Sequence, residues 1–531
     1  MNKPILDFWS HPTSPPRQNQ FTALEWLEKQ TARYILLEIP VGGGKSQLAM
    51  TYSKFLNQNN GDSFILTPQI ILQKQYASTF DKTLLSPLYG KGNYKCNKAP
   101  NITCDIGSLI GSPCNSCPAK RAREQAQKSP NAVLNYKVAL LNFKHTEVFD
   151  KRNLMVLDEC HQTEEMLCEL DAINFTKGMC KKVEINWETH SNVDRAITWI
   201  TQKFLPALKI KLDEMEEIAE PILKHKQKAT TSDAYVLQTL NALTEQYNSV
   251  NELIDESAKE DFENQFVLIH SENFFKFKRL FAHNSFKNIL EQKANKFLFM
   301  SSTILNPKQF CADIGIDYNQ AAFLSLPSDF PAENRPIFFM PKAKMNAQWS
   351  TPNNKSAINS LLARTKEIIN IHKDQSGIIH TANYAIADWL IDNLEDKITT
   401  HNIMHHNPNN GIDRNTIIDT FTNSKKPSIL ISPSITEGLD LVGDIARFAI
   451  FAKIPFAFLG DQWIKQRMDM SSEWYLRRAL IDVIQGSGRI VRSKEDWGNV
   501  YILDSSWSYL LKQASHHIPK WWLEAYCEYQ E

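Results

Sequence analysis

The sequence lacks both an excess of charge and a hydrophobic run long enough to cross a bilayer. Its 531 residues include 59 Lys and Arg and 59 Asp and Glu, which gives a formal net charge of zero. No overall field therefore attracts a polyanion, and any nucleic-acid site has to be local. The most apolar late stretch, residues 448–459, is interrupted by Lys453 and Pro455 and is too short to span a membrane.

The amino terminus also lacks the basic-then-apolar pattern of a secretory signal. We therefore expect a cytoplasmic protein that contacts no membrane. Disulfide frameworks are rare in that compartment, so the nine cysteines raise the question of metal binding instead. The chain is too long for one hydrophobic core, which predicts several domains.

Glycine is scarce, at 18 residues, yet Gly42, Gly43 and Gly44 are consecutive. They follow an apolar run, 34–39, that predicts a strand, and they precede a helical pattern. Such a loop directs successive N–H groups and a helix N-terminus at a polyphosphate. Lys45 would reach the β- and γ-phosphates, and Ser46 would hold Mg²⁺.

The alternative for this loop is a strand-to-helix turn that binds nothing. The Gly-Lys-Ser ending favours phosphate binding, although Ile39 stands where the usual pattern has its first glycine.

Two adjacent carboxylates follow another apolar strand pattern. Residues 154–157 lead into Asp158 and Glu159. Asp158 would hold Mg²⁺, and Glu159 would polarise the attacking water. An acidic pair that caps the next helix is the alternative, but the glycine loop upstream favours catalysis.

Two more predicted strands end in polar side chains, and the carboxyl ends of parallel strands face the ligand crevice of an α/β sheet. These residues are Thr67, with Gln73 on the helix that follows it, and Ser301, Ser302 and Thr303.

Near the amino terminus, Arg17 and Gln20 precede a segment with helical apolar spacing. A glutamine amide has one acceptor and two donors, which suffices to read the edge of an adenine. A polar helix cap is the alternative, and the stretch by itself favours that alternative.

Four cysteines lie in a loop-rich insert that interrupts the strand–helix alternation. Four thiolates in one such segment indicate a closed site for tetrahedral zinc or for an iron–sulfur cluster, and the spacing alone slightly favours zinc. The four are Cys96, Cys104, Cys114 and Cys117.

The same region has a local basic excess. Residues 82–128 contain eight Lys and Arg against two acidic residues, with Tyr89 and Tyr94 among them. This composition suits a phosphate backbone with stacked bases. A solvated charge cluster explains it equally well.

A second α/β region begins near residue 327. Apolar runs at 376–381, 428–432, 448–451 and 500–504 alternate with helical segments, which predicts a parallel sheet. Gln485, Arg489 and Arg492 follow the third run. The spacing of the two arginines predicts one helix face, from which both would stabilise charge on a γ-phosphate.

The glycine loop, the cysteine insert and Asp158-Glu159-Cys160-His161, in this order, resemble the superfamily-two helicases of the XPD and DinG type. Several other segments are similar to family motifs: 89–96 before the first cysteine, Asn135-Tyr136 after the insert, and Gln485 to Arg492. Glu437, Gly438 and Asp440 match a further motif, in which Thr436 replaces an aromatic residue.

The resemblance implies roles for several residues. Arg17 and Gln20 correspond to the family's adenine-reading motif, and the four cysteines to ligands of a [4Fe–4S] cluster. Glu437, Gly438 and Asp440 would belong to the ATP and Mg²⁺ site. Coupling and DNA contacts are expected of Thr67, Gln73, Ser301, Ser302 and Thr303.

The implied fold is α/β, with two RecA-like P-loop domains that contain parallel sheets. The first would comprise residues 1–88, 131–165 and 273–326, with an iron–sulfur insert at 89–130 and a helical arch insert at 166–272. The second would comprise 327–531.

The implied function is an ATP-dependent DNA helicase that translocates 5′ to 3′ on single-stranded DNA and unwinds duplex junctions. It would act as a monomer with ATP, Mg²⁺ and a [4Fe–4S] cluster, associated with the nucleoid in a prokaryote or phage. The alternative is an ATP-gated protein that binds or remodels single-stranded nucleic acid without processive unwinding.

Overall fold

The structure is a computed structural model that describes residues 3–11, 14–99, 101–109, 116–145, 148–225, 229–405, 407, 414–433, 441 and 443–528. Its strands are β1 Tyr34–Glu38, β2 Ser63–Thr67, β3 Leu85–Leu88, β4 Asn131–Asn135, β5 Arg152–Asp158, β6 Ile173–Thr176, β7 Phe266–His270, β8 Phe274–Arg279, β9 Ala294–Ser301, β10 Ala321–Ser325, β11 Ile337–Ala343, β12 Gly377–His380, β13 Asn402–His405, β14 Ser428–Ser432, β15 Phe448–Phe451, β16 Asn499–Asp504 and β17 Tyr526–Glu528.

The helices of the first half are α1 Gln18–Glu28, α2 Lys45–Asn57, α3 Ile70–Thr79, α4 Cys104–Gly107, α5 Pro118–Lys128, α6 Tyr136–His145, α7 Thr163–Leu170, α8 Lys177–Lys182, α9 Val193–Trp199, α10 Leu205–Lys224, α11 Thr231–Ser257, α12 Phe262–Gln265, α13 His283–Ser285 and α14 Pro307–Ile314. Those of the second half are α15 Lys355–Ile371, α16 Tyr384–Leu394, α17 Arg414–Thr422, α18 Gln462–Met470, α19 Ser472–Ser487, α20 Ser506–Ala514 and α21 Lys520–Leu523.

Two seven-stranded sheets, parallel throughout, form the two α/β domains. The strand order is β10-β1-β9-β5-β2-β4-β3 in the first sheet and β13-β14-β12-β15-β16-β11-β17 in the second. The predicted α/β class and parallel sheets are therefore confirmed. The strands are continuous apolar runs because helices cover both faces of a parallel sheet.

Successive side chains along a strand point to opposite faces of the sheet, so each domain has one buried apolar cluster on either face of its sheet. In β1, Leu36 packs into one buried cluster, whereas Ile35 and Leu37 pack into another on the opposite face. In β12, Ile378 and Ile379 divide in the same way between two clusters of the second domain. This is the period of two that a strand requires.

The first sheet brings three functional segments together. Strand β9 lies between β1 and β5, and Glu38 at the end of β1 is in register with Ser301 at the end of β9. Asp158 at the end of β5 is in register with Met300. The glycine loop, the acidic pair and the Ser301 segment therefore leave the sheet side by side at its carboxyl edge.

The long segment between β5 and β9 differs from its sequence prediction. Only helices were expected in residues 166–272, but β6 and β7 lie within this range and form an antiparallel sheet with the adjacent β8, beside α8–α12. Phe175, Phe275 and Phe277 are fully buried in the segment's own apolar cluster. Alternation in such short strands is hard to see because lysines and glutamates surround it.

Among the described residues, no helix combines the length and the apolar character that a bilayer crossing requires.

Candidate functional site

The glycine loop has the backbone that its composition predicts. Gly42 and Gly44 have φ angles of +77° and +82°, in the left-handed region that glycine adopts most readily. A Cβ on Gly43 would overlap the buried side chain of Ile39. Ile39 is therefore accommodated because Gly43 leaves room for its methyl group, and Lys45 begins α2 directly after the loop.

The acidic pair faces the loop across the sheet edge. The Lys45 Nζ lies 3.0 Å from the Glu159 Oε1, and Glu159 has a φ of +50°, a costly conformation for a residue with a side chain. The Tyr76 hydroxyl donates to the Asp158 Oδ2 at 3.1 Å. Sequence reasoning missed Tyr76 because it occupies an ordinary apolar position of α3.

The two carboxyl groups have opposite pKa shifts. Burial raises the pKa of Asp158, and the adjacent Glu159 charge raises it further, to about 6. Burial also acts to raise the pKa of Glu159, but the nearby Lys45 and His161 outweigh burial and lower it to about 2. Glu159 is therefore ionised at neutral pH, as a group that orients water must be.

A hydrogen-bond network joins the two domains at Glu159. The Gln485 Nε2 donates to the Thr303 Oγ1 at 2.9 Å and approaches the Glu159 Oε2 at 3.5 Å. The His161 Nδ1 lies 2.9 Å from the Ser301 Oγ. His161 was not singled out as a site residue, although it ends the Asp-Glu-Cys-His motif that was visible in the sequence.

The Ser301–Thr303 segment is completely buried. Ser301 contacts His161 of the acidic motif and Thr303 contacts Gln485 of the second domain, whereas the Ser302 hydroxyl has no hydrogen-bond partner among the described residues. The interdomain hydrogen bond of this segment is therefore made by Thr303.

The two arginines reach the cleft differently from the prediction. Helix α19 ends at Ser487, with Gly488 as its C-cap, so Arg489 and Arg492 follow the helix and do not share one of its faces. Both still line the interdomain cleft together with the glycine loop, the acidic pair and Ser46, in a cavity of about 830 Å³.

Arg17 and Gln20 donate hydrogen bonds to backbone carbonyls of the glycine loop. The Arg17 Nη2 donates to the Gly42 carbonyl at 2.7 Å, and the Gln20 Nε2 donates to the Gly43 carbonyl at 3.2 Å. The Gln20 Oε1 accepts the Arg17 N–H at the start of α1. An adenine edge would have to compete with these contacts, so the reading of the base by Gln20 stays a prediction.

Thr67 and Gln73 are completely buried. The Gln73 Nε2 donates to the Leu88 and Val133 carbonyls at 3.0 and 3.1 Å, so it joins α3 to the neighbouring strands. The Thr67 hydroxyl donates to the Gln69 carbonyl at 3.2 Å. The role in coupling or DNA contact that was expected of these two residues stays a prediction.

Glu437, Gly438 and Asp440 lie outside the described residues, as does Cys114.

The other three predicted metal ligands lie together. Cys96, Cys104 and Cys117 line one cavity of about 470 Å³. Gly107 has no Cβ where the Cys96 Sγ lies, and the Cys104 and Cys117 sulfurs are 3.9 Å apart. Two thiolates of a tetrahedral zinc site stand about 3.8 Å apart, given Zn–S bonds of ~2.3 Å. The donors suit zinc, and the cavity also has room for a cluster.

Known proteins resemble this chain in sequence at both ends. A family model described as the helicase C-terminal domain matches residues 365–525, and one described as the res subunit of type III restriction enzymes matches residues 13–212. The ATP-dependent DNA helicase YoaA of Escherichia coli is 24% identical over 233 residues, which cover 42% of this chain and 35% of YoaA. YoaA of Haemophilus influenzae is 23% identical and covers 41% and 34%. The chain thus matches about a third of the length of these curated relatives.

Solved structures resemble the whole chain in fold. An XPD helicase superimposes with a TM-score of 0.62 at 14% identity, over 97% of this chain and 99% of the other. Xpd4 of S. tokodaii superimposes with a TM-score of 0.57 at 12% identity, over 97% and 100%. At these identities the likeness shows the fold alone.

The two parallel sheets and the glycine-loop cleft between them define a P-loop protein with two RecA-like domains. The family models, the YoaA relatives and the XPD-like fold agree in making the chain similar to superfamily-two helicases of the XPD and DinG type. The comparisons thus support the resemblance that the motifs predicted.

Proposed function

We propose that the protein is an ATP-dependent DNA helicase that moves 5′ to 3′ along single-stranded DNA and separates duplexes. The observation that carries this proposal is a contact between the domains: Gln485 of the second domain contacts Thr303 and Glu159 of the first. The group proposed to orient water is therefore in contact with a side chain of each domain.

The residues of the cleft divide the work of ATP hydrolysis. Lys45 and the loop N–H groups bind the phosphates, and Glu159 orients the attacking water. Arg489 and Arg492 bring positive charge from the second domain to the transferring phosphoryl group. Ser46 and Asp158 would hold Mg²⁺, which neutralises the phosphate oxygens when bound.

Coupling to DNA is proposed to pass through Ser301 and Thr303. The Ser301 hydroxyl contacts His161 of the acidic motif, and the Thr303 hydroxyl accepts a hydrogen bond from Gln485. Loss of the γ-phosphate is thereby transmitted to the end of β9 and the residues that follow it. Glu437, Gly438 and Asp440 are proposed to complete the ATP and Mg²⁺ site from the second domain.

The cysteine insert, residues 89–130, is proposed to be an iron–sulfur domain, and the helical insertion, residues 166–272, an arch domain. Together they are proposed to enclose the single strand. Helix α4 of the insert contacts α11 of the insertion, which supports an enclosed path. Lys91, Lys120 and Arg123 line the cysteine cavity and supply positive charge for a phosphate backbone.

The metal is proposed to be a [4Fe–4S] cluster on Cys96, Cys104, Cys114 and Cys117, as in the resembled family. Its chemistry here is structural, because four soft thiolates close the loop-rich insert around it. Absorbance near ~400 nm together with bound iron would support the cluster. A colourless protein that contains stoichiometric zinc would replace it with the zinc site.

The decisive experiment compares ATP hydrolysis with strand separation on matched duplexes that carry either a 5′ or a 3′ single-stranded tail. The proposal expects DNA-stimulated hydrolysis and unwinding of the 5′-tailed duplex only. Stimulated hydrolysis without unwinding of either duplex would instead identify an ATP-gated binding or remodelling protein. Unwinding of the 3′-tailed duplex alone would reverse the proposed polarity. Gel filtration with light scattering on the same preparation tests the proposed monomer.

A further inference from the structure

Two helices of the second domain are built into the core of the first. Trp463 of α18 and Trp474 of α19 belong to the same buried apolar cluster as Leu157 of β5 and Phe299 of β9. The Trp463 Nε1 also donates to the Arg279 carbonyl at 2.9 Å. Helix α18 and the start of α19 therefore pack in the core of the first domain, whereas Leu476, Leu480 and Ile484 further along α19 pack in the core of the second.

Four buried charges lie beside these tryptophans. The Arg467 Nη2 contacts the Glu164 Oε1 at 2.5 Å and the Asp313 Oδ1 at 2.8 Å. Arg477 pairs with the other Asp313 oxygen, and the Trp474 Nε1 donates to the Glu164 Oε2 at 3.0 Å. All four charged residues are less than 9% exposed. Two guanidinium groups thus face two carboxyl groups within the interface, where burial and the neighbouring Asp313 charge raise the pKa of Glu164 to about 7.

The elements that carry these charges lead directly to the cleft. Helix α7, which contains Glu164, begins four residues after Glu159. Helix α14, which contains Asp313, begins four residues after Thr303. Arg477 precedes Gln485 on α19 by eight residues, or about 12 Å of helix at ~1.5 Å per residue. The charge cluster thus holds together α7, α14 and α19, the three helices that are connected along the chain to Glu159, Thr303 and Gln485.

Opening the domains at this place would be costly. It would expose two tryptophans and separate buried ion pairs, which leaves charges without partners in an apolar setting. The other edge of the cleft is an open cavity, which α3 and α17 line through Ser78, Thr79, Asp419 and Thr422 beside Ile71 and Ile418. Movement of the domains therefore separates less buried packing at that edge.

We infer that Glu164, Asp313, Arg467 and Arg477 are positioning residues, which hold α19 on the first domain so that Gln485 stays opposite Glu159 while the domains rotate about this junction. The inference rests on the proposed ATP hydrolysis. The α18–α19 junction stays closed throughout the cycle, and the α3–α17 edge opens and closes.

Substitutions that keep the shape of the junction test the positioning role. Asp313→Asn removes one charge, and Arg467→Lys keeps its charge but not the planar fork that contacts two carboxylates. We expect kcat for ATP to fall about tenfold or more in Asp313→Asn and less in Arg467→Lys, with KM and nucleotide affinity changed by less than about threefold. The control is Lys203→Gln, because the Lys203–Glu188 pair is exposed and lies in the helical insertion, outside the junction.

A folded Asp313→Asn protein with unchanged kcat would overturn the positioning role. A native chain that hydrolyses no ATP would refute the proposed function alone, because calorimetry tests the junction without turnover. The native chain is expected to unfold in one transition and Asp313→Asn in two. Two identical transitions in both proteins would show that the junction does not tie the domains.

Crosslinking provides a test that does not depend on weakening the fold. A short bis-maleimide would join Glu165→Cys to Arg478→Cys across the junction, or Ser78→Cys to Thr422→Cys across the open edge, with the native chain treated identically as the control. We expect the first crosslink to leave ATPase activity within about twofold and the second to abolish turnover. Loss of activity on crosslinking the junction would show that it must open, which overturns the inference.

Discussion

The Lys45 ammonium lies 3.0 Å from the Glu159 carboxylate, so the proposed phosphate-binding cation and the proposed water-orienting anion neutralise each other. In the proposed mechanism, a γ-phosphate that binds Lys45 competes with this ion pair and releases Glu159 toward water. That mechanism links binding of the nucleotide to activation of its hydrolysis through one contact.

Glu159→Gln tests this link. We expect kcat for ATP to fall by about 10² to 10⁴, the usual contribution of such a group, while nucleotide affinity is kept or increased because Lys45 loses its competing partner. Steady-state ATPase assays and binding of a fluorescent ATP analogue measure the two effects. Glu169→Gln, on the exposed end of α7, is the control, and hydrolysis at the parental rate in Glu159→Gln would contradict the assignment.

Gln20→Ala distinguishes support of the loop from reading of the base. The Gln20 amide contacts the Gly43 carbonyl and the Arg17 N–H, so its removal should weaken ATP and GTP binding alike, and their ratio should change by less than about threefold. Competition binding of both nucleotides to the native and variant chains gives that ratio. A selective loss of ATP binding would show instead that Gln20 reads the adenine.

Cys104→Ser should release the metal from the insert, because a hydroxyl is a poor substitute for a soft thiolate ligand. Metal analysis and visible absorbance measure the loss, and ATP binding should persist because the cysteine cavity and the nucleotide cleft are lined by different residues. Cys527→Ser, at an exposed cysteine, is the matched control. Full metal content in Cys104→Ser would remove Cys104 from the ligand set.

His380→Phe should make the protein less sensitive to acid. Burial, with a contribution from Arg489, lowers the pKa of His380 to about 4, whereas in the unfolded chain it is about 6.5. As the pH falls through this interval, the unfolded state binds a proton that the folded state does not, so the native chain loses stability. The decrease in the free energy of unfolding that His380 causes reaches about 2 kcal/mol at pH 5.

The measurement is the difference in melting temperature between His380→Phe and the native chain from pH 7.5 to pH 5. The difference should shift in favour of the variant as the pH falls. His380 stacks on Phe451 with ring centroids 4.6 Å apart, and neither of its ring nitrogens has a hydrogen-bond partner among the described residues. Phe451→Leu, which changes the same packing without a titrating group, is the control, and a difference that does not vary with pH would contradict the assignment.

The predictable part of the fold was the part with long apolar runs. The strands near 34–38, 63–67, 154–157 and 428–432 were visible because both faces of a parallel strand are buried. The antiparallel strands β6, β7 and β8 were missed, since each is short and lies among charged segments with helical spacing. The placement of Arg489 and Arg492 on one helix face was wrong because α19 ends at Ser487, before Gly488. A Cβ at Gly488 would stand only 3.0 Å from Val41.

The sequence by itself determined the local chemistry of this protein: a strand, three glycines and Lys45 within a dozen residues, and Asp158-Glu159 at the end of another strand. Such motifs can be read directly because their geometry depends on neighbours along the chain. Only the tertiary structure decided what these groups contact. Gln485 meets Thr303 across 182 positions, and Asp313 meets Arg467 across 154, since burial brings together polar groups that no local pattern relates.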